Sequence, residues 1–485
     1  MIRLHNTLTG QLDEFTPQHP DKVTLYTCGP TVYSEPLIGN WVSYIRWDTL
    51  VRVLMANGLA VERVMNITDV GHLVSDADDG EDKMQKGAKR EGVTAWEVAR
   101  RYTDSFLTGM QALNLIAPEH ITKATDYIQQ QIDLVKTLES KGYTYIIDDG
   151  VYFDTSKFST YADFAHLELT ALKAGARVEV NDQKRHPWDF ALWKFSPKGE
   201  KRDMEWESPW GIGFPGWHLE CSAMAMSLLG NTLDIHTGGI DHIPVHHTNE
   251  IAQSEAATGM LFSRFWLHNN HLKVDGTKIS KSLGNGYTLQ DLADKGYDPM
   301  DFRMFVLQSQ YRTEGNFTWE NLSAAKNRLF HWKQLAALRW QMHDTLHDDS
   351  EKDVHDTSAK LLAASHAALE EVNADLNTPA ALRIIEEAFT GLETTALDHV
   401  QQSALARLLT FIDDVLGLKL QTSTPDISDD QKQLILARTR ARETKDWATS
   451  DAIRDQLQAQ GIGLDDHPSG SRWWYMQTED QSSRR

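Results

Sequence analysis

The chain has 485 residues, 41% hydrophobic and 24% charged, with two cysteines and a net charge of −21. That length calls for several cores rather than one, and the acid excess excludes a broadly basic nucleic-acid surface while leaving room for a local one. No apolar run is long enough to span a bilayer, the N-terminus Met1-Ile-Arg-Leu-His5 lacks a signal-peptide pattern, and two cysteines exclude a disulfide framework. A reducing cytoplasm is therefore the expected location, with no membrane association.

In chain order, Val23–Thr27 predicts a buried strand, ended by the turn Cys28-Gly29-Pro30. A helix is expected over Trp41–Ala56, with Val42, Ile45, Leu50, Val53 and Leu54 at helical spacing and Asn57-Gly58 as its stop. Strand, glycine turn and helix form the unit by which a parallel α/β sheet offers a nucleotide to a helix N-terminus. Val61–Val70 is a second strand, and Gly71–Gly92 a polar, glycine-containing segment. Thr94 and Glu97 make a capping box for a helix to about Leu113, with Val93 and Val98 as its staple. Thr125–Ser140 is a further helix, and Tyr143–Asp154 reads as two short strands around Asp148-Asp149-Gly150. Asp189–Lys194 and Ser208–His218 are aromatic and rich in Gly and Pro, which predicts rigid loop leading into a helix at Leu219. Thr232–His236, Phe265–His268 and His271–Val274 are strand-like. From Asn321 the pattern is helical, over Ala324–Leu346, Thr357–Asn373, Pro379–Gly391 and Leu405–Leu416. A polar linker, Thr422–Asp429, leads to a helical pair, Gln431–Gln460, and a strand-like tail, Gly461–Tyr475.

Two features carry chemistry. Cys28, Cys221, His246 and Glu250 offer two thiolates, an imidazole and a carboxylate, a donor set that suits zinc. His246 and Glu250 are four residues apart and share a helix face. There is no C-x-x-C or H-E-x-x-H, and on spacing alone two buried structural cysteines are the plainer reading. The loop Lys278-Ile-Ser-Lys-Ser282 puts Lys278 and Lys281 after an Asp-Gly turn. Two such ammonium groups can hold the phosphates of ATP through a pentavalent transition state, where the plain alternative is a solvated basic loop.

Read together, these motifs resemble the cysteinyl-tRNA synthetases, class I aminoacyl-tRNA synthetases. The likeness runs through Tyr26–Tyr33, Asn66–Asp69, Asp189–Lys194, Pro215–Met224, Asp234–Gly239, His246–Ser254, Lys278–Asn285, Asp375–Pro379 and Lys445–Asp455, in order along nearly the whole chain. The resemblance implies zinc at Cys28, Cys221, His246 and Glu250, and an amino-acid pocket shaped by Gly29, Thr31, Thr68, Trp217 and His218. It implies ATP, with Mg2+, against Gly39, Asn40, Lys278, Ser280 and Lys281, with Lys281, Lys278 and Asn40 in catalysis. It also implies tRNA(Cys) on the tail, where Arg438, Arg440, Arg442 and Lys445 cluster and Trp473 offers a stacking surface. A zinc that takes the substrate thiolate as an added ligand would reject serine without editing.

The implied fold is α/β: a Rossmann-type class I catalytic domain with an insertion, a helical bundle and a small C-terminal domain. The expected division is 1–115 and 211–260 for the two catalytic halves, 116–210 for the insertion and 261–320 for a connecting segment with the lysine loop. The helical bundle takes 321–425 and the anticodon-binding domain 426–485, in a chain expected to be a monomer.

The family's His-x-Gly-His signature stands here as Leu37-Ile38-Gly39-Asn40. Gly39 keeps the backbone open to adenine or ribose, and Asn40 keeps a donor. Leu37 donates nothing, and losing such a donor costs on the order of 3 kcal/mol unless compensated. His72 and His242 sit where the family pattern differs; either could stand in for the lost histidine, and the reading preferred is that both lie at the surface or behind the site. Two other functions fit the motifs. One is a same-fold ligase joining cysteine to a small amine, as in the mycothiol pathway; the other is a tRNA-binding descendant without catalysis.

Overall fold

The computed structural model describes residues 1–71, 82–167, 182–197, 202–280, 283–342, 356–395, 397, 400–467 and 470–476. Two compact units emerge, Met1–Pro299 with Tyr311–Thr318, and Met300–Gln310 with Trp319 onward.

The first unit is built on a five-stranded sheet in the order 263–269, 233–239, 22–27, 60–67, 120–123. Every neighbouring pair is parallel. Lys22–Thr27 is buried along all but its first residue, as a central strand covered on both faces requires. The chain moves to one side of it for the next two strands and to the other side for the last two. Its carboxyl end is therefore a topological switch point, where open α/β sheets bind ligands. The helix that follows begins at Ile38, three residues before the expected start. Asn40 causes this: its Oδ1 accepts from Leu37 N at 2.9 Å while its own N–H meets Leu37 O at 2.9 Å.

The boundaries expected at 115 and 260 miss two sheet members, His120–Lys123 and Ser263–Asn269. The first is only four residues long, too short for a periodicity to show. Within the polar, glycine-containing segment Gly71–Gly92 lies a helix, Lys83–Glu91, capped by Asp82 and ended by Gly92 at φ 68°. Asp82 also takes a buried ion pair from Arg202. The expected loop at 189–194 is a strand, Phe190–Phe195, inside a four-stranded antiparallel sheet with Thr144–Ile147, Gly150–Phe153 and Gly213–Pro215. Its alternation is hidden because Phe190 through Trp193 are all buried. Asp189 anchors it, accepting from Thr155 N and Oγ1, Tyr145 OH and His186 N at 2.7 to 2.9 Å.

In the second unit, helices Trp319–Ala337, Asp356–Asn373, Thr378–Thr394 and Gln402–Phe411 form a bundle. Helices Asp429–Glu443 and Trp447–Ala459 follow, then an antiparallel hairpin of Ile462–His467 and Gly470–Tyr475. Ile453, Leu457, Ile462 and Trp473 make the small core of this tail.

Candidate active site and metal centre

The first strand ends at Thr27, and the turn beyond it is held by its neighbour. Gly29 N donates to Asn66 Oδ1 at 2.7 Å, and Asn66 Nδ2 donates to Thr68 Oγ1 at 2.9 Å. One buried amide thus fixes both Gly29 and Thr68. Gly29 is required there, because a Cβ would lie 1.7 Å from the Asn66 carbonyl oxygen. Thr68 N meets Pro30 O and Val32 N meets Thr68 O, which carries the parallel pairing on through Thr31.

Across the switch point, helices Trp217–Leu229 and Thr248–Thr258 are joined by a polar seam. Gln253 Nε2 donates to His218 O and Ser222 Oγ, both at 2.6 Å, and Ser254 Oγ to Ser222 Oγ at 2.8 Å. That seam brings Cys221 opposite His246 and Glu250. Donor atoms of Cys28, Cys221, His246 and Glu250 all lie within 4.8 Å of one another. His246 Nε2 is 2.7 Å from Glu250 Oε1, and its Nδ1 is 2.9 Å from His218 Nδ1.

A second set, Cys28, His236, His247 and Glu250, meets the same distance test. His236 Nε2 is 2.8 Å from Glu250 Oε2 and His247 Nε2 is 3.4 Å from Cys28 Sγ. His247 in turn meets His268 at 2.7 Å, and His268 meets Thr7 Oγ1 at 2.7 Å. No sequence period announces these partners: five histidines from four elements converge only through the tertiary fold. Their one sequence signal is the run of histidines at 242, 246 and 247 beside an acidic residue.

Electrostatics suit a cation here. Burial pushes the Cys28 thiol well up, whereas a hydrogen bond from Cys28 draws Cys221 down to about 7. Burial works against ionised Glu250, yet His236 and His246 hold it at about 2. Burial likewise works to lower His246, and Glu250 with Cys221 carries it up to about 10.

These groups open onto a cavity of about 710 Å³. Its wall includes Cys28, Gly29, Thr31, Thr68, Trp217, Cys221 and His246 at one end and Gly39, Asn40 and Lys278 at the other. Most of the expected site residues therefore meet. Glu250 and His218 stand behind the wall, both buried, with His218 against two wall residues, His246 at 2.9 Å and the Trp217 ring at 5.4 Å between ring centres. Lys281 and His72 lie outside the described residues. His242, expected at the surface or behind the site, is on the cavity wall, its ring 5.1 Å from that of His246. Ser280 is tied into the loop, its N–H donating to Asn285 Oδ1 at 2.8 Å.

In the C-terminal tail two expected contacts are interior. Arg438 is 2% exposed and makes a forked pair with Asp466 at 2.7 and 2.9 Å, and Trp473 is 5% exposed within the small core. A helix carrying basic residues looks the same in sequence whether a given one points in or out. Arg442 is half-buried and Lys445 exposed. Trp447, not expected, is 55% exposed, with the Arg442 guanidinium 5.8 Å from its ring centre.

Residues 14–327 match the family described as the tRNA synthetases class I (C) catalytic domain, and residues 424–473 match the cysteinyl-tRNA ligase anticodon-binding domain. A cysteine–tRNA ligase 1 of Burkholderia lata is 44% identical, over 98% of this chain and 97% of its own. A cysteine–tRNA ligase of Treponema denticola is 40% identical, over 97% and 99%. A methionyl-tRNA synthetase structure from Mycobacterium tuberculosis aligns at a TM-score of 0.60 and 16% identity, over 83% of this chain and 93% of that one, a likeness of fold.

Proposed function

The chain belongs to the cysteine–tRNA ligases, class I aminoacyl-tRNA synthetases, and from this premise we propose how its residues divide the work. The enzyme activates cysteine with ATP and transfers it to tRNA. One observation carries the residue assignment: Cys28, Cys221 and His246 line the same cavity as Asn40 and Lys278.

Cys28, Cys221, His246 and Glu250 would hold zinc. Their ligand atoms all lie within 4.8 Å of one another, and two thiols, an imidazole and a carboxylate are the donor types that suit zinc. This set is favoured over the one with His236 and His247, because three of its members face the cavity and neither of those histidines does. Bound there, zinc supplies a soft Lewis acid for the substrate thiolate that a serine hydroxyl matches poorly. His218, His236 and His247 orient the ligands from behind. Gly29, Thr31, Thr68 and Trp217 shape the amino-acid end.

At the nucleotide end Asn40 Oδ1 is spent on the helix cap. Its Nδ2 has no acceptor among the described residues and is free to donate to Mg-ATP. Lys278 is exposed and without an ion-pair partner among them, ready for a phosphate, and Lys281 is its proposed companion. Arg442, Lys445 and Trp447 form the proposed tRNA-reading surface, in place of the interior Arg438 and Trp473. Cys28 and Cys221 are free thiols, in keeping with the cytoplasm. Among the described residues no helix is long and apolar enough to cross a membrane.

The test is transfer. Cysteine should be charged onto a tRNA(Cys) transcript and not onto an amino sugar. Transfer to the amino sugar alone would favour the small-amine ligase, against which the matched anticodon-binding domain already argues.

A further inference from the structure

Leu37 replaces a hydrogen-bonding residue at the mouth of the nucleotide site, and the structure shows what it touches instead. A methyl built on Gly286 would lie 3.1 Å from Leu37 Cδ1, 3.6 Å from its Cδ2 and 3.9 Å from Ile279 Cγ2. A methyl built on Gly39 would lie 2.9 Å from Ile279 Cδ1. Two branched side chains therefore converge on two bare glycines, one glycine on each segment. Leu37 and Gly39 belong to the start of the helix Ile38–Ala56, and Ile279 and Gly286 to the segment that carries Lys278. Both side chains line the cavity and are half-buried.

Polar contacts fix the same two segments in the same place. Ile38 N donates to Tyr287 O at 2.8 Å. Asn285 closes the loop on itself, accepting from Ser280 N at 2.8 Å and donating to Lys278 O at 3.1 Å. The backbone position of Lys278 is thus set by Asn285 on one side. On the other it is set by the packing of its neighbour, Ile279, against the helix N-terminus.

We propose that Leu37 and Ile279 are a pair of positioning residues: an apolar latch that seats the Lys278 segment on the helix N-terminus. In this chain the first signature position acts on the nucleotide through the lysine loop rather than by a donor of its own. Leucine suits that task, because dispersion and burial against Gly39 and Gly286 need no partner in the ligand. An imidazole there would be partly desolvated beside Gly286. The proposal rests on the reading of Lys278 as a phosphate contact.

The experiment is a double-mutant cycle in cysteine-dependent ATP–pyrophosphate exchange, on the zinc-loaded full chain. Leu37→Ala and Ile279→Ala should each lower kcat/KM for ATP by roughly ten- to a hundredfold, the scale of an ångström of misplacement. The double variant should lose no more than the worse single one. KM for cysteine should hold in all three, and Leu37→Met should restore most of the rate that Leu37→Ala loses. Leu37→His should exchange more slowly than the parent. Faster exchange by Leu37→His, or losses in the two alanine variants that simply multiply, would overturn the latch while leaving the enzyme assignment intact. A parent chain with full zinc and no exchange would instead overturn the reading beneath it. Should Leu37→Ala fail to fold, Ile279→Ala and Leu37→His decide the question, both judged beside their thermal midpoints and zinc content.

Discussion

Replacing Gly29 by alanine tests how tightly the turn and the metal ligand are coupled. The new methyl would sit 1.7 Å from Asn66 O and 2.8 Å from its carbonyl carbon. Backbone cannot swing aside as a side chain can. A contact of 3.0 Å with Asn66 O, the closest that Cβ atoms tolerate, requires the two backbone segments to part by 1.3 Å, the difference between 3.0 and 1.7 Å. The 2.7 Å bond from Gly29 N to Asn66 Oδ1 crosses the same gap and would be strained with it. Overpacking of this kind costs about 1–3 kcal/mol of stability, which a unit of this size survives. Function has less room. Cys28 is the adjacent residue, and misplacing a reacting group by about 1 Å costs on the order of a hundredfold in rate, or about 2.7 kcal/mol. Gly29→Ala should therefore stay folded, hold less zinc and lose roughly a hundredfold in kcat/KM for cysteine. Circular dichroism, metal analysis and pyrophosphate exchange check the three parts. A folded variant with full zinc and parental kcat/KM would refute the reasoning.

Other expectations concern each end of the chain. Cys221→Ser should fold and lose most of its zinc, since a hydroxyl is a poor ligand beside a thiolate; retention of zinc after dialysis would shift the metal to the set with His236 and His247. Trp447→Ala should leave cysteine-dependent exchange at the parental level and lower kcat/KM for tRNA charging roughly five- to a hundredfold, the worth of one stacked base. Unchanged charging would remove Trp447 from the tRNA surface. The hydrogen bond from Arg438 holds the Asp466 carboxyl below its ordinary value near 3.8. A depressed carboxylate stabilises the fold above that value and ceases to do so as pH falls through its lower folded value. The second unit should accordingly lose stability below about pH 4, and Asp466→Asn should flatten that acid limb in urea titrations. An unchanged limb would mean that other carboxylates govern it.

The central strand, its turn and the capping box at Thr94 are legible in the sequence, because each is a local pattern with a local cause. Phe190–Phe195 and His120–Lys123 are not. The first hides its alternation under burial on both faces, and the second is too short for any. Cys28, Cys221, His246 and Glu250 are legible as ligand types, whereas the fold alone sets His218, His236 and His247 behind them. Arg438 and Trp473 show the converse: cationic and aromatic residues that read as a binding face are spent on the tail's own core, while nothing local in the sequence marks Trp447 as the exposed one beside Arg442. Leu37 reads as a loss in the sequence, and its contacts with the Lys278 segment emerge only from packing.

The most direct test of the whole account is pyrophosphate exchange by the zinc-loaded chain with cysteine, serine and no amino acid compared side by side. Exchange with cysteine alone, abolished when a chelator strips the zinc and recovered when zinc is restored, is the predicted result. Equal exchange with serine, or undiminished exchange by the stripped chain, would contradict selection by a metal-bound thiolate at Cys28, Cys221, His246 and Glu250.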